Sequence, residues 1–275
     1  MKPAPFKYVR VDSVAAALGA LDGDPDAAVL AGGQSLLAMM NMRAAQPRRL
    51  IDINGIAELS RFGPTSDGRF RIGALVRHAV LETDPAIASA APLLVAAARE
   101  LAHPAIRNRG TLGGSLALAD PAAELPACAL ALGALIEITG AGGAREIPAN
   151  DFFLGPFATA LGEGEILTAL ILQSADPDVR FAYRKLARRH GDFALAGVAA
   201  TDGQGGLRIA VFGVGDKPVL ATHAAAALAE GGAVDAAVRA LGRDVAPDDL
   251  ADCSGATRLH LAGVALRRAL ADLGR

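Results

Sequence analysis

The sequence predicts an α+β protein of two lobes followed by a smaller α+β C-terminal domain. Three observations carry this. Residues 1–56 alternate strand, helix and strand in the βαβ manner. Residues 57–173 switch to short strands joined by turns, with helices between them. Residues 174–275 hold a strand pair meeting at a Gly-rich turn, then Ala-rich helices. A chain of 275 residues with 52 % hydrophobic content can bury about three quarters of its unfolded surface, enough for this many units.

In the first lobe "FKYVR" reads as a strand, Asp12 or Ser13 can cap the helix "SVAAALGAL", and "AAVLAG" is a short apolar strand that the Gly32–Gly33 pair ends. The helix "SLLAMMNMRA" follows. Pro47 punctuates, and "RLIDIN" forms the third strand.

In the second lobe "RFRIGAL" and "ALIEITG" read as strands next to the turns "SDGR" and "GAGGAR". Helices are expected at "HAVLETDPAIAS", "APLLVAAARELA" and, started by Pro121 at its first position, "PAAELPACALAL". The apolar run "ILTALILQ" reads as a buried strand closing this lobe, and "SADPDV" as a linker. In the last domain "FALAGVAATD" and "GLRIAVFGVG" form a hairpin across "DGQGG", and the helices "HAAAALAEGG" and "ATRLHLAGVALRRALADLG" follow; the latter keeps one apolar stripe.

Composition removes several functions. With 27 basic against 29 acidic residues, no Trp and few aromatics, the chain lacks the basic footprint and stacking platforms of a nucleic-acid binder. No run of about eighteen uncharged apolar residues occurs and the first residues carry no apolar signal segment, so no membrane span is expected and the cytoplasm is the expected location. Cys128 and Cys253 stand far apart, and the five histidines form no HxH or HxxxH pair, so no metal site is expected.

Three clusters remain as candidates for chemistry. In "AGGQSLL" the glycines Gly32 and Gly33 let backbone N–H groups approach a ligand, beside Ala31 and Gln34, and Ser35 opens a helix whose first donors are unpaired; the same residues also suit an ordinary capped turn. In "GTLGGSLALADP" the glycines Gly113 and Gly114 repeat the pattern, with Leu112 between them and Thr111 and with the hydroxyl of Ser115 beside them. Asp120 follows, suited either to the hydroxyls of a sugar or ribityl chain or to capping the next helix. In "FAYRKLARRHGDF" Tyr183 and Lys185 are two residues apart on a strand and share one side, either at a site or on a solvated face. "GVGDKP" lacks the third Gly of a dinucleotide fingerprint and has Pro218 where a helix would run, so no Rossmann nicotinamide site is indicated.

Taken in this order, "AGGQSLL", "HPAIRNRGTLGGSLALADPAAELPA", "GEILTALIL" and "YRKLARRHGDFALAGVAA" resemble the FAD-binding medium subunit of the molybdenum hydroxylases, the family of xanthine dehydrogenase and aerobic carbon monoxide dehydrogenase, over nearly the whole chain. The resemblance implies a two-lobed FAD-binding fold of the vanillyl-alcohol-oxidase (PCMH) type followed by a family-specific C-terminal domain. It implies non-covalent FAD lying between the lobes. Ala31, Gly32, Gly33, Gln34 and Ser35 would wrap its pyrophosphate together with Thr111, Leu112, Gly113, Gly114 and Ser115. Asp120 would contact the flavin's polar chain, Leu167 would pack near the isoalloxazine, Lys185 would sit by its N1 and O2 edge and Tyr183 by its face.

Relatives often carry His in place of Leu118, and some have His at Gln34 or Asn at Ser115, so the backbone contacts are the ones that carry over. A further iron–sulfur cluster in this subunit, which some relatives have, needs four added ligands, and two cysteines cannot supply them. The implied role is electron transfer. Hydroxylation occurs at a molybdenum cofactor in a large partner subunit, electrons cross [2Fe–2S] clusters of a small one, and this chain hands them to an external acceptor, with a dimer of heterotrimers as the working form. The rival reading is a stand-alone FAD-dependent oxidoreductase of the same superfold, such as a cell-wall precursor reductase, which would need a proton donor and a substrate pocket of its own. A subunit that has lost its flavin is a second rival, and the intact Gly pairs speak against it.

Overall fold

The structure is a computed structural model that describes residues 2–173, 178–250 and 253–275. Most of the expected linker "SADPDV" lies outside the described residues.

The first lobe is β1 (Lys7–Arg10), α1 (Val14–Leu21), β2 (Ala27–Leu30), α2 (Leu36–Asn41) and β3 (Arg49–Asp52), with the strands parallel in the order β1-β3-β2. The Ser13 hydroxyl accepts the Ala16 N–H and caps α1, a contact worth about 1 kcal/mol. Ala17, Ile51, Ile53, Ile56 and Leu59 make this lobe's small core, which Leu75 and Ile166 of the second lobe complete.

The second lobe runs β4 (Phe62–Pro64), β5 (Phe70–Gly73), α3 (His78–Thr83), α4 (Pro85–Ala90), α5 (Pro92–Glu100), α6 (Pro104–Arg107), α7 (Leu112–Leu118), α8 (Glu124–Ala131), β6 (Leu135–Gly140), β7 (Gly143–Pro148), α9 (Ala149–Phe152), β8 (Phe153–Gly155), β9 (Ala158–Thr159) and β10 (Ile166–Leu172). Its main sheet is antiparallel, ordered β4-β5-β10-β6-β7. The run "ILTALILQ" is the buried last strand of this lobe and lies at the centre of the sheet, with all seven residues of β10 buried. The helix expected over "HAVLETDPAIAS" is two helices, because the Asp84 carboxylate caps a new start whose first residue is Pro85. The helix expected from Pro121 starts three residues later, at Glu124. The Asp120 side chain accepts the Ala122 N–H and folds Pro121 into a turn instead.

The C-terminal domain is β11 (Arg180–Leu186), β12 (Ala196–Gly203), β13 (Gly206–Phe212), β14 (Val219–Leu220), α10 (Thr222–Ala229), α11 (Val234–Asp244) and α12 (Gly255–Asp272), with the four strands in sequence order. The hairpin closes at Gly203 and Gly206 as its turn residues require. One face of this sheet packs on α10 to α12, through Val198, Ile209, Leu266 and Leu270. The other face joins the second lobe's core through Ala199, Ala210 and Phe212, so the two units share one apolar interior. Thr201 and Arg208 seal the junction by donating to Leu130 and Ala131 carbonyls at the C-terminal end of α8. No helix among the described residues is long and apolar enough to cross a membrane.

Candidate functional site

Between the two lobes lies a cavity of about 490 Å³, closed on one side by the loop that precedes β12. Its first wall is the end of β2. Gly33 has φ +73°, a left-handed conformation that costs a side chain 1–2 kcal/mol or so, and it turns the chain sharply into α2. Gly32 serves a different need: a Cβ there would sit 2.4 Å from the Arg109 carbonyl oxygen, so only glycine lets this loop touch the loop of the second lobe. Asn54 and Arg77 staple the same junction. The Asn54 amide donates to the Ala31 carbonyl at 2.9 Å, and Arg77 donates to Asn54 Oδ1 at 2.6 Å and to the Arg109 carbonyl.

Beyond this turn the backbone is open. Among the described residues the chain supplies no acceptor to the N–H groups of Gly33, Gln34, Ser35 and Leu36, all of which line the cavity. A run of unused donors at the start of a helix attracts an anion.

The second wall is α7, and here the expectation needs correcting. Thr111 caps the helix through Gly114 N–H, Leu112 and Gly113 donate to Val76 and Ala74 carbonyls, and Ser115 donates to the Thr111 carbonyl. These backbone donors are spent inside the protein. What faces the cavity is the exposed Gly114 surface and the Thr111 and Ser115 residues, while Leu112 is wholly buried in the core and does not reach it.

Leu167 and Ile166 line the cavity as well. Asp120 and Leu118 also line the cavity.

Tyr183 and Lys185 do share one side of β11, as their spacing requires, but that side faces inward and neither residue lines the cavity. The Tyr183 ring stacks on Phe212 at 6.0 Å. Lys185 donates to Glu124 Oε1 at 2.8 Å, and Glu124 is the residue that lines the wall. Burial pushes the Glu124 carboxyl up and the Lys185 charge opposes it.

Sequence reading missed Glu124, His78 and Phe193. Glu124 looked like one polar residue on a helix, and its partner lies 61 positions away. His78, 6 % exposed, sits in an apolar helix with no motif around it. Phe193, 72 % exposed, stands at the cavity with Gly191 and Asp192. No Lys or Arg lines the cavity among the described residues, and no cluster of His, Cys, Asp and Glu there could hold a metal.

A parallel lobe and an antiparallel lobe meeting over a cavity walled by free backbone donors and by a buried carboxylate suit a binder of a ligand with an anionic segment. Comparison with known proteins specifies the class. Residues 4–172 match the FAD binding domain in molybdopterin dehydrogenase, and residues 181–273 match the CO dehydrogenase flavoprotein C-terminal domain. The chain is 35 % identical over 282 aligned residues to the carbon monoxide dehydrogenase medium chain of Afipia carboxidovorans, covering 98 % of this chain and 97 % of that one. It is 43 % identical to the nicotine 6-hydroxylase medium subunit of Paenarthrobacter nicotinovorans, over 72 % of this chain and 69 % of the other. Among solved structures it superposes on carbon monoxide dehydrogenase from Hydrogenophaga pseudoflava with a TM-score of 0.94 at 36 % identity, covering 99 % and 98 % of the two chains. The chain belongs to the family of FAD-binding medium subunits of molybdenum hydroxylases, and its cofactor is FAD.

Proposed function

We propose that this chain is the electron-relay subunit of a cytoplasmic complex in which a large partner carries the molybdenum cofactor and a small partner carries [2Fe–2S] clusters, assembled as a dimer of heterotrimers. FAD, when bound, supplies the ability to collect electrons from one-electron carriers and release them to an external acceptor.

The observation that supports a flavin dinucleotide is the run of unused backbone donors on the cavity wall. The unused N–H groups of residues 33–36 suit a diphosphate, which carries its negative charge on oxygens that only accept hydrogen bonds. Glu124, its charge paired with Lys185, also stands on the wall and suits an uncharged ring that offers a donor. In this reading Ala31, Gly32, Gly33, Gln34 and Ser35 hold the diphosphate from one side. Thr111, Gly113, Gly114 and Ser115 hold it from the other through surface and hydroxyls. Asp120 faces the ribityl chain, Leu167 packs against the ring, and Tyr183 and Lys185 act on the ring from behind Glu124.

The test is to purify the chain alone and with its genomic neighbours. The relay reading expects the chain alone to oxidise no organic substrate and at most to reduce dyes or oxygen slowly, while the assembled complex turns substrate over with a rate that depends on FAD. Substrate oxidation by the isolated chain at ordinary enzyme rates would show a self-sufficient oxidoreductase instead.

A further inference from the structure

We infer that Arg77 is the cation of the diphosphate site and acts without touching the ligand: through the Asn54 amide it aims and polarises the peptide that opens the turn of residues 31–36. Both are positioning residues. This inference rests on the flavin reading of the cavity.

The cavity wall itself supplies no positive side chain. Among the described residues that line it Asp120, Glu124, Glu165 and Asp192 are acidic and none is Lys or Arg. A side-chain cation that favours a diphosphate must therefore stand behind the backbone.

Behind the turn the hydrogen bonds run without a gap. Arg77, half-buried, donates from Nη2 to Asn54 Oδ1 at 2.6 Å and from Nη1 to the Arg109 carbonyl. Asn54 Nδ2 then donates to Asp52 Oδ1 at 2.6 Å and to the Ala31 carbonyl at 2.9 Å. These partners fix which way the amide lies, since its oxygen faces the guanidinium and its nitrogen faces two acceptors.

The carbonyl and N–H of one trans peptide point in opposite directions, so holding the Ala31 oxygen aims the Gly32 N–H away from Asn54. Gly32 lines the cavity, and among the described residues the chain supplies no acceptor to its N–H. The Gln34 side chain holds the next carbonyl, that of Gly32, at 3.1 Å, which aims the Gly33 N–H by the same rule. Arg77 grips the turn a second time. The Arg109 carbonyl that it holds is the group 2.4 Å from where a Gly32 Cβ would be.

Charge points the same way. Arg77 feels the charges of Arg109 and Asp52, and Asp52 feels that of Arg10, so three guanidinium groups stand against one carboxylate behind the turn. A cation that donates into a row of amides strengthens the donor at the row's far end.

The experiment uses the full chain co-expressed with its proposed partners and stripped of flavin, comparing Arg77→Met, Arg77→Lys, Asn54→Ala and the double variant Arg77→Met/Asn54→Ala with wild type. Probes are FAD, ADP and riboflavin, the last having no phosphate. Arg77→Met and Asn54→Ala should each weaken FAD and ADP by about tenfold and leave riboflavin unchanged. The double variant should bind ADP no worse than its weaker parent, because one relay is broken only once. Arg77→Lys keeps the charge and should lose less than Arg77→Met. If Arg77→Met does not assemble, Asn54→Ala decides, since it leaves Arg77 on the Arg109 carbonyl and the lobes joined. Equal weakening of all three probes would mean that the two residues only hold the lobes together, and unchanged ADP affinity in Asn54→Ala would mean that the turn sets itself. Additive losses in the double variant, or equal losses in Arg77→Lys and Arg77→Met, would show that no charge passes through Asn54. Each of these results overturns the inference alone. Wild type that binds none of the probes overturns the flavin reading and this inference with it.

Discussion

Lys185 Nζ lies 2.8 Å from Glu124 Oε1 and 2.7 Å from the Glu100 carbonyl oxygen, so one ammonium joins the last carbonyl of α5 to the first residue of α8. The two side chains are 3 % and 10 % exposed. Positive charge at a helix C-terminus and negative charge at a helix N-terminus are each favourable, which lets two helix ends meet beside the cavity with a carboxylate between them and the ligand.

A buried pair is costly to split because the carboxyl left behind must take up a proton at neutral pH or stay charged without water. Lys185→Met should destabilise the chain by about 3 kcal/mol or more, and adding Glu124→Gln should recover part of the loss. Urea unfolding of the two single variants and the double variant measures this. Additive effects would show that the pair is not coupled.

The same pair limits what Lys185 does to the flavin. Without its partner Glu124, already pushed up by burial, takes a proton, and the wall stays neutral as before. The flavin midpoint of Lys185→Met should therefore shift by less than about 30 mV, the equivalent of about 1.4 kcal/mol in a two-electron couple. A larger drop in a potentiometric titration would mean that the ammonium acts on the ring directly.

The glycines of the two loops should respond differently to the same substitution. At Gly32 a methyl group meets the Arg109 backbone of the other lobe at 2.4 Å, and at Gly113 it meets the Ala74 Cβ at 2.5 Å and backbone at 2.9 Å within the second lobe, so Gly32→Ala should push the lobes apart, Gly113→Ala should displace α7 from its own lobe, and both should lose stability and flavin. At Gly114 it meets only the Thr111 hydroxyl, at 2.8 Å. Gly114→Val should cost about 1 kcal/mol through the helix cap yet remove flavin, since its methyls enter the cavity. Melting curves and flavin content together decide it, and a Gly114→Val protein with full flavin would clear that surface of any role.

Much of this was legible in the sequence, and the exceptions have physical causes. The first lobe, the hairpin and the cavity-lining glycines show themselves through short-range signals: alternation, turn residues and caps. β4 and β7 carried no such signal, one being a three-residue strand with Gly and Pro and the other an exposed edge of polar residues. Asp120 and the Gly113–Gly114 pair were read as ligand contacts from their types, and their local bonds to Ala122, Val76 and Ala74 depend on where the chain returns from. Glu124 and His78 became visible only in three dimensions, because burial and a distant partner, rather than a motif, distinguish them.

The flavin should be held without a covalent bond. Neither glycine loop contains Cys or His, and the one histidine on the cavity wall has both ring nitrogens shielded from solvent. Acid precipitation should leave the yellow colour in the supernatant, and colour that stays with the pellet would contradict this.

His78 should also shape the acid limb of stability. Burial, with help from the charges of Arg77 and Arg107, brings its pKa from 6.5 down to about 4. Between these values the unfolded chain binds a proton that the folded one refuses, so the stability this neutral ring permits is present above pH 6.5 and is lost as pH falls toward 4. From pH 7 to pH 4.5 the difference integrates to about 2.5 kcal/mol. His78→Gln, which cannot titrate, should lack this part of the fall, so urea midpoints of wild type and variant should converge or cross as the solution is acidified. Curves that stay parallel over that range would mean that His78 takes up its proton without unfolding the chain around it.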